Sequence, residues 1–129
     1  MKNVSSIGML TPQGVLATTA GWNGIPMHDG QILINCWNTP KAVAVLIGLG
    51  DLVYLGPNVA ETVAHTRDFD RDWALTMPKK FISVKQWQRQ EHYYGVGCYY
   101  LFDPNNAEWC AYDECGHILK ELSEYKIDG

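Results

Sequence analysis

Asn38-Thr39-Pro40-Lys41-Ala42-Val43-Ala44-Val45-Leu46-Ile47-Gly48-Leu49-Gly50 holds a helix with both of its ends written into it. The Thr39 hydroxyl suits an N-cap, and Pro40 suits the first helical position, where a missing N–H is no loss. Gly50 is placed to end the helix, because glycine takes the left-handed conformation at little cost. Val43, Leu46, Ile47 and Leu49 nearly encircle residues 41–49, so this helix is expected to be buried. Just upstream, Ile32, Leu33, Cys36 and Trp37 recur at helical spacing and predict a short amphipathic helix over residues 31–37.

Working outward, the signals become those of strands. Residues 6–10 and 15–19 are apolar-rich runs on either side of Thr11-Pro12-Gln13-Gly14, turn chemistry that predicts an opening β-hairpin. Residues 21–30 contain Gly21, Gly24, Pro26 and Gly30 and read as a loop or tight elbow. Residues 51–56 read as a turn, 61–66 as a strand and 67–80 as an irregular excursion. Residues 81–90 fit a strand end or a short helix. Residues 94–103 and 108–113 form aromatic-rich strands around Pro104-Asn105-Asn106, and residues 117–122 a third strand or a closing helix. The expected fold is α+β in one domain: an N-terminal β-hairpin, two short helices, and a mainly antiparallel sheet completed by C-terminal aromatic strands.

Composition narrows the partners. The chain has 129 residues, 47% of them hydrophobic and 19% charged, which suits one folded domain with a true core. A net charge of −4 argues against a duplex nucleic-acid binder. Met1-Lys2-Asn3-Val4-Ser5-Ser6 lacks an apolar leader and residues 42–49 are far too short to span a bilayer, so a cytoplasmic protein with no membrane partner is expected. Cys36, Cys98, Cys110 and Cys115 lack paired C-x-x-C knuckles and are expected as free thiols without zinc.

Two segments carry site chemistry. In Trp22-Asn23-Gly24-Ile25-Pro26 the indole offers a stacking face and Gly24 lets backbone N–H groups approach a ligand. The same words also describe a buried tryptophan anchoring an elbow. Gly30 and Gln31, at the start of the next helix, would supply donors for an anion. In His65-Thr66-Arg67-Asp68-Phe69-Asp70-Arg71-Asp72-Trp73, Arg67 and Arg71 suit phosphate and Asp68 suits ribose hydroxyls, unless these residues simply pair with one another. His28-Asp29, His65, Asp68, Asp70 and Asp72 have the donors of a divalent-metal site but no recognised spacing, and no metal or cofactor is expected. There is no G-x-x-x-x-G-K-[ST] loop. Ser5, Ser6, Ser83 and Ser123 lie in no nucleophile elbow, and no catalytic residue is assigned. Along the C-terminal strands His92, Tyr93, Tyr94, Tyr99, Tyr100, Phe102, Trp109 and Tyr112 supply alternate positions, which predicts one buried and one exposed aromatic face, the latter a contact between identical subunits.

Taken in order, Ser6-Ile7-Gly8-Met9-Leu10, Trp22-Asn23-Gly24-Ile25-Pro26, Asn38-Thr39-Pro40, Leu49-Gly50-Asp51-Leu52 with Leu55-Gly56, and Arg67-Asp68 resemble a family of small bacteriophage and prophage proteins. The likeness covers roughly residues 5–73. Gly21 stands where that family has His, Asn23 where it has Asp, and Ile25 where it has Tyr. The resemblance implies a phage context rather than a reaction, and by analogy a counter-defence role. The expected function is to bind and sequester a nucleotide-derived host immune signal without cleaving it. Trp22 or Trp37 would stack a base, Arg67 and the helix start near Gly30 would hold phosphate, and Asp68 would take ribose, with Asn23, Gly24, His28, His65 and Arg71 completing the site. The alternatives are an enzyme that cleaves such a nucleotide, using His28 or His65 as acid or base, and an inhibitor that binds a host defence protein directly.

Overall fold

A computed structural model describes residues 4–21 and 24–119. The chain opens with β1 (Ser5–Thr11) and β2 (Gly14–Ala20), paired antiparallel from Ser5↔Ala20 to Thr11↔Gly14 as the turn residues require. A π-helical turn, Pro26–Gly30, leads into α1 (Gln31–Cys36) and α2 (Pro40–Gly48). The Thr39 hydroxyl accepts the Ala42 N–H at 3.2 Å, the cap its position predicts. Next come β3 (Leu52–Tyr54), β4 (Val63–Ala64), α3 (His65–Phe69), α4 (Trp73–Thr76) and β5 (Lys79–Phe81). Then α5 (Val84–Tyr93) precedes β6 (Cys98–Asp103) and β7 (Glu108–Asp113).

The strands form one seven-stranded sheet in the order β4-β3-β2-β1-β6-β7, with β5 sharing the outer edge of β2. Most pairs are antiparallel. β1 with β6 and β2 with β3 are parallel, which makes the sheet mixed. Gly14 (φ 135°) must be glycine: a Cβ there would stand 2.0 Å from the Phe81 carbonyl, where β5 crosses.

Helices cover both faces. Ile7, Tyr100 and Phe102 pack under α1 and α2 with Leu33, Trp37, Leu46 and Ile47. Val15, Ala17, Tyr99 and Leu101 pack under α5 through Trp87. This overturns the expected exposed aromatic strand face: Tyr99 and Tyr100 point to opposite sides of β6, yet both are fully buried. Among the described residues the exposed tyrosines are Tyr93 and Tyr94, where α5 ends, and strand β6 begins at Cys98 rather than residue 94.

Other expectations also shift. Residues 81–90 hold both expected alternatives: Phe81 ends β5, and α5 follows, started by the Ser83 hydroxyl accepting the Gln86 N–H at 3.0 Å. The expected strand over residues 61–66 shrinks to β4, because the Asp68 carboxylate takes the Ala64 N–H at 2.8 Å and turns the chain into α3. The expected turn over residues 51–56 contains β3, held parallel to β2 at Ala20↔Leu52. The closing segment shows an isolated bridge, Tyr112↔Ile118, and residues 120–122 lie outside the described residues. Cys36, Cys98, Cys110 and Cys115 are free. Among the described residues no helix is long and apolar enough to cross a membrane.

Candidate ligand-binding site

Three groups of side chains converge on the segment that runs from β3 to Thr62. The first is the elbow. The π-helical turn buries Asp29 completely, with Oδ1 2.7 Å from His28 Nδ1 and Oδ2 accepting the Ser5 hydroxyl at 3.4 Å. Burial pushes the Asp29 carboxyl up to about 7, against the opposing pull of His28 and Ser5. The His28 ring meets Tyr54 edge-on with centroids 6.0 Å apart, and the Tyr100 hydroxyl donates to the Gly24 carbonyl at 2.6 Å. A buried carboxyl bonded to one imidazole nitrogen fixes the orientation of the ring.

The second group is a groove of about 380 Å³ between the start of α2 and the loop after β3. Trp37 is its floor, only 3% exposed, with Nε1 donating to the Gly56 carbonyl at 2.9 Å. Val45, Val59 and Pro57 supply apolar wall, while Lys41, Thr39 and Asn58 supply polar rim. Its volume falls within the range of small-ligand sites. Lys41 sits in the first turn of α2, beside the positive end of that helix dipole.

The third group braces the groove from behind. Arg67 Nη1 donates to the Val59 carbonyl at 3.0 Å, Nη2 donates to the Thr62 carbonyl, and Nε and Nη2 bond the Asp68 carboxylate. The guanidinium and the Ala64 N–H hold the Asp68 carboxyl below its usual value. Arg67 and Asp68 therefore act on loop and helix backbone, a strut for residues 59–64.

The residues singled out from the sequence are divided among these places. Gly24, His28 and Gly30 lie at the elbow, Trp37 in the groove, and Arg67 with Asp68 behind its wall. His65 starts α3, its N–H donating to the Asp51 carbonyl at 3.0 Å, and Arg71 is exposed beyond the end of that helix. Trp22 and Asn23 lie outside the described residues. One donor expectation fails: the Gln31 N–H is taken by the His28 and Pro26 carbonyls, because the π-helical turn runs straight into α1. Sequence reasoning weighed Asp29 only as a metal donor and missed its buried bond to His28, and it missed Tyr54 and Lys41 as site residues. Lys41 was findable, since it follows the Thr39-Pro40 helix start; the burial of Asp29 has no local signal.

No family model, curated protein or solved structure matches this chain.

Proposed function

We propose that the chain is a small-ligand-binding protein that takes a nucleotide-derived molecule in the groove beside α2 and holds it without cleaving it. With the resemblance to phage proteins, this is the role of a counter-defence protein that withdraws a host immune signal. The observation behind the reading is the groove itself: about 380 Å³, floored by Trp37, with the Lys41 ammonium on its rim. Trp37, buried in the core, gives the groove an apolar floor rather than the stacking face expected of it, while a cation in the first turn of a nine-residue helix suits a phosphate. Among the described residues that line the groove, Cys36 and Lys41 carry the ionisable groups, and Lys41 brings positive charge to meet a phosphate. The test is to incubate the purified protein with cyclic and ADP-ribose-type nucleotides and to analyse bound and heat-released material by mass spectrometry. An intact nucleotide released on heating supports the proposal. The absence of any bound nucleotide defeats it.

The oriented pair at the elbow favours a second reading. His28, steered by buried Asp29, has the arrangement of a general acid–base group, and a nucleotide reaching Tyr54 would meet it. An altered product in the same experiment, lost in His28→Gln, selects this reading over sequestration.

A further inference from the structure

The α5 face of the sheet places two surfaces of opposite charge side by side. On α5, Lys85, Arg89 and Tyr93 stand at successive four-residue steps and so form one ridge, all three exposed and Tyr93 86% so. Tyr94 packs edge-on to Tyr93 at 5.6 Å, extending the ridge in aromatic surface. Residues 95–119, by contrast, contain Asp103, Glu108, Asp113 and Glu114 and no lysine or arginine. The β6–β7 register sets Asp103 opposite Glu108 and Leu101 opposite Cys110, and alternation turns these pairs to the same face as Tyr99 and Trp87. Leu101 is buried beneath α5 with Trp87, while Glu108 is exposed and Asp103 and Cys110 are half-buried. They line a cleft of about 470 Å³ together with Leu10 and Tyr112, and with Ile34, Asn38 and Trp109 from the α1 side of the sheet edge.

We infer that this face joins two copies of the chain in a two-fold dimer, the Lys85–Arg89–Tyr93 ridge of one docking on the Asp103–Glu108 cleft of the other. The ridge and the Asp103–Glu108 pair lie on the same side of the sheet, so the reciprocal contact forms in the same encounter and the assembly closes at two. Charge complementarity selects a second copy as the occupant: the basic ridge and the acidic, partly apolar cleft are each other's partners. Tyrosine suits the centre of such a contact, because it brings large amphipathic area at low conformational cost.

Sedimentation velocity on the purified chain tests the inference. The wild type sediments as a dimer at low salt and dissociates as salt is added, since the contact is charged at its rim. Arg89→Glu and Glu108→Lys each set like charges against one another in both contacts and weaken the dimer by roughly a hundredfold or more. Mixed in equal amounts, the two variants form a dimer again, because reversed and native pairs are then both attractive. Tyr93→Ser weakens the dimer without touching a charge, and its thermal melt matches that of the wild-type monomer because the side chain is exposed. A wild type that stays monomeric at every concentration overturns the inference. So does a dimer indifferent to both charge reversals, or a mixture that remains monomeric.

Discussion

Among the described residues each face of the sheet buries one carboxyl, and the two are treated differently. Asp29, on the α1–α2 face, is met at both oxygens, by His28 at 2.7 Å and by Ser5 at 3.4 Å. Glu91, on the α5 face, is 2% exposed, has Lys79 no closer than 3.9 Å, and leaves Oε1 with no partner in the described structure. Burial raises both, Glu91 against the pull of Lys79 and with a further push from Asp51. A buried carboxyl with both oxygens engaged holds something in position. One with an orphaned oxygen is a standing cost of packing the helix. The α1–α2 face therefore has the features of a site, and the α5 face those of a supporting layer that also presents a docking ridge.

The largest expected effect removes the anchor of the supporting layer. Trp87 is fully buried, donates from Nε1 to the Ser6 hydroxyl at 2.8 Å, and meets Tyr99 edge-on at 5.3 Å. Trp87→Ala should cost about 3–5 kcal/mol, the range for deleting a buried aromatic side chain. Denaturant unfolding measures it. A loss of about 1 kcal/mol would mean that α5 is an appendage rather than half of the core.

Next in size is the pH dependence of the two carboxyls. In each the folded-state pKa lies above the unfolded one, so the folded chain binds the proton more tightly. That contribution is complete below about pH 4 and is lost as pH rises, for Asp29 through about 7. Relative to wild type, Asp29→Asn should therefore gain stability from pH 4 to 7, by on the order of a few kcal/mol at most. Glu91→Gln should gain in the same direction. The comparison is sharpened by ring ¹⁵N shifts of His28, which should change in Asp29→Asn and stay put in Glu91→Gln. Unchanged His28 shifts in both variants would remove the positioning role of Asp29.

Smaller again is Arg67→Ala. It deletes donors to the Val59 and Thr62 carbonyls and to Asp68, but the pair is about one-third exposed, so about 1–2 kcal/mol of stability is expected to go. Ligand binding should fall with the groove wall and recover when the wall is held by excess ligand. Intact stability with lost binding would instead place Arg67 in direct contact with the ligand.

How legible each part was follows from where its cause lies. The Thr39-Pro40 start of α2, the Thr11–Gly14 turn and the Pro104-Asn105-Asn106 turn are local chemistry, and those elements stand where the residues put them. α5 was ambiguous because Val84, Trp87 and buried Glu91 share its inner face, and a glutamate in a core position breaks the apolar period. β3 was read as a turn since it has three residues and its pairing to β2 is parallel and distant in sequence. The bonds of the conspicuous Arg67-Asp68 word to the Val59 and Thr62 carbonyls were not legible, because only folding brings those acceptors near. Asp29 was hidden for the same reason: its burial is made by β1 and the elbow together, not by its neighbours in sequence.

The smallest structural effect, and the one that bears most on the proposed function, is at Lys41. Its side chain is exposed, and no core contact depends on it, so Lys41→Ala should change stability by no more than about 0.5 kcal/mol. A phosphate in the groove would nevertheless lose a charge-assisted partner worth about 1.5–3 kcal/mol, roughly ten- to hundredfold in affinity. Isothermal titration with whichever nucleotide the mass-spectrometric panel retains reads this directly, and Lys41→Arg should keep most of the affinity because the positive charge remains. The loss should also shrink with added salt, as the rim is open to solvent. Should Lys41→Ala bind as tightly as wild type while His28→Gln does not, the ligand sits at the elbow, and the face with the engaged carboxyl is the site through Asp29 and His28 rather than through Trp37.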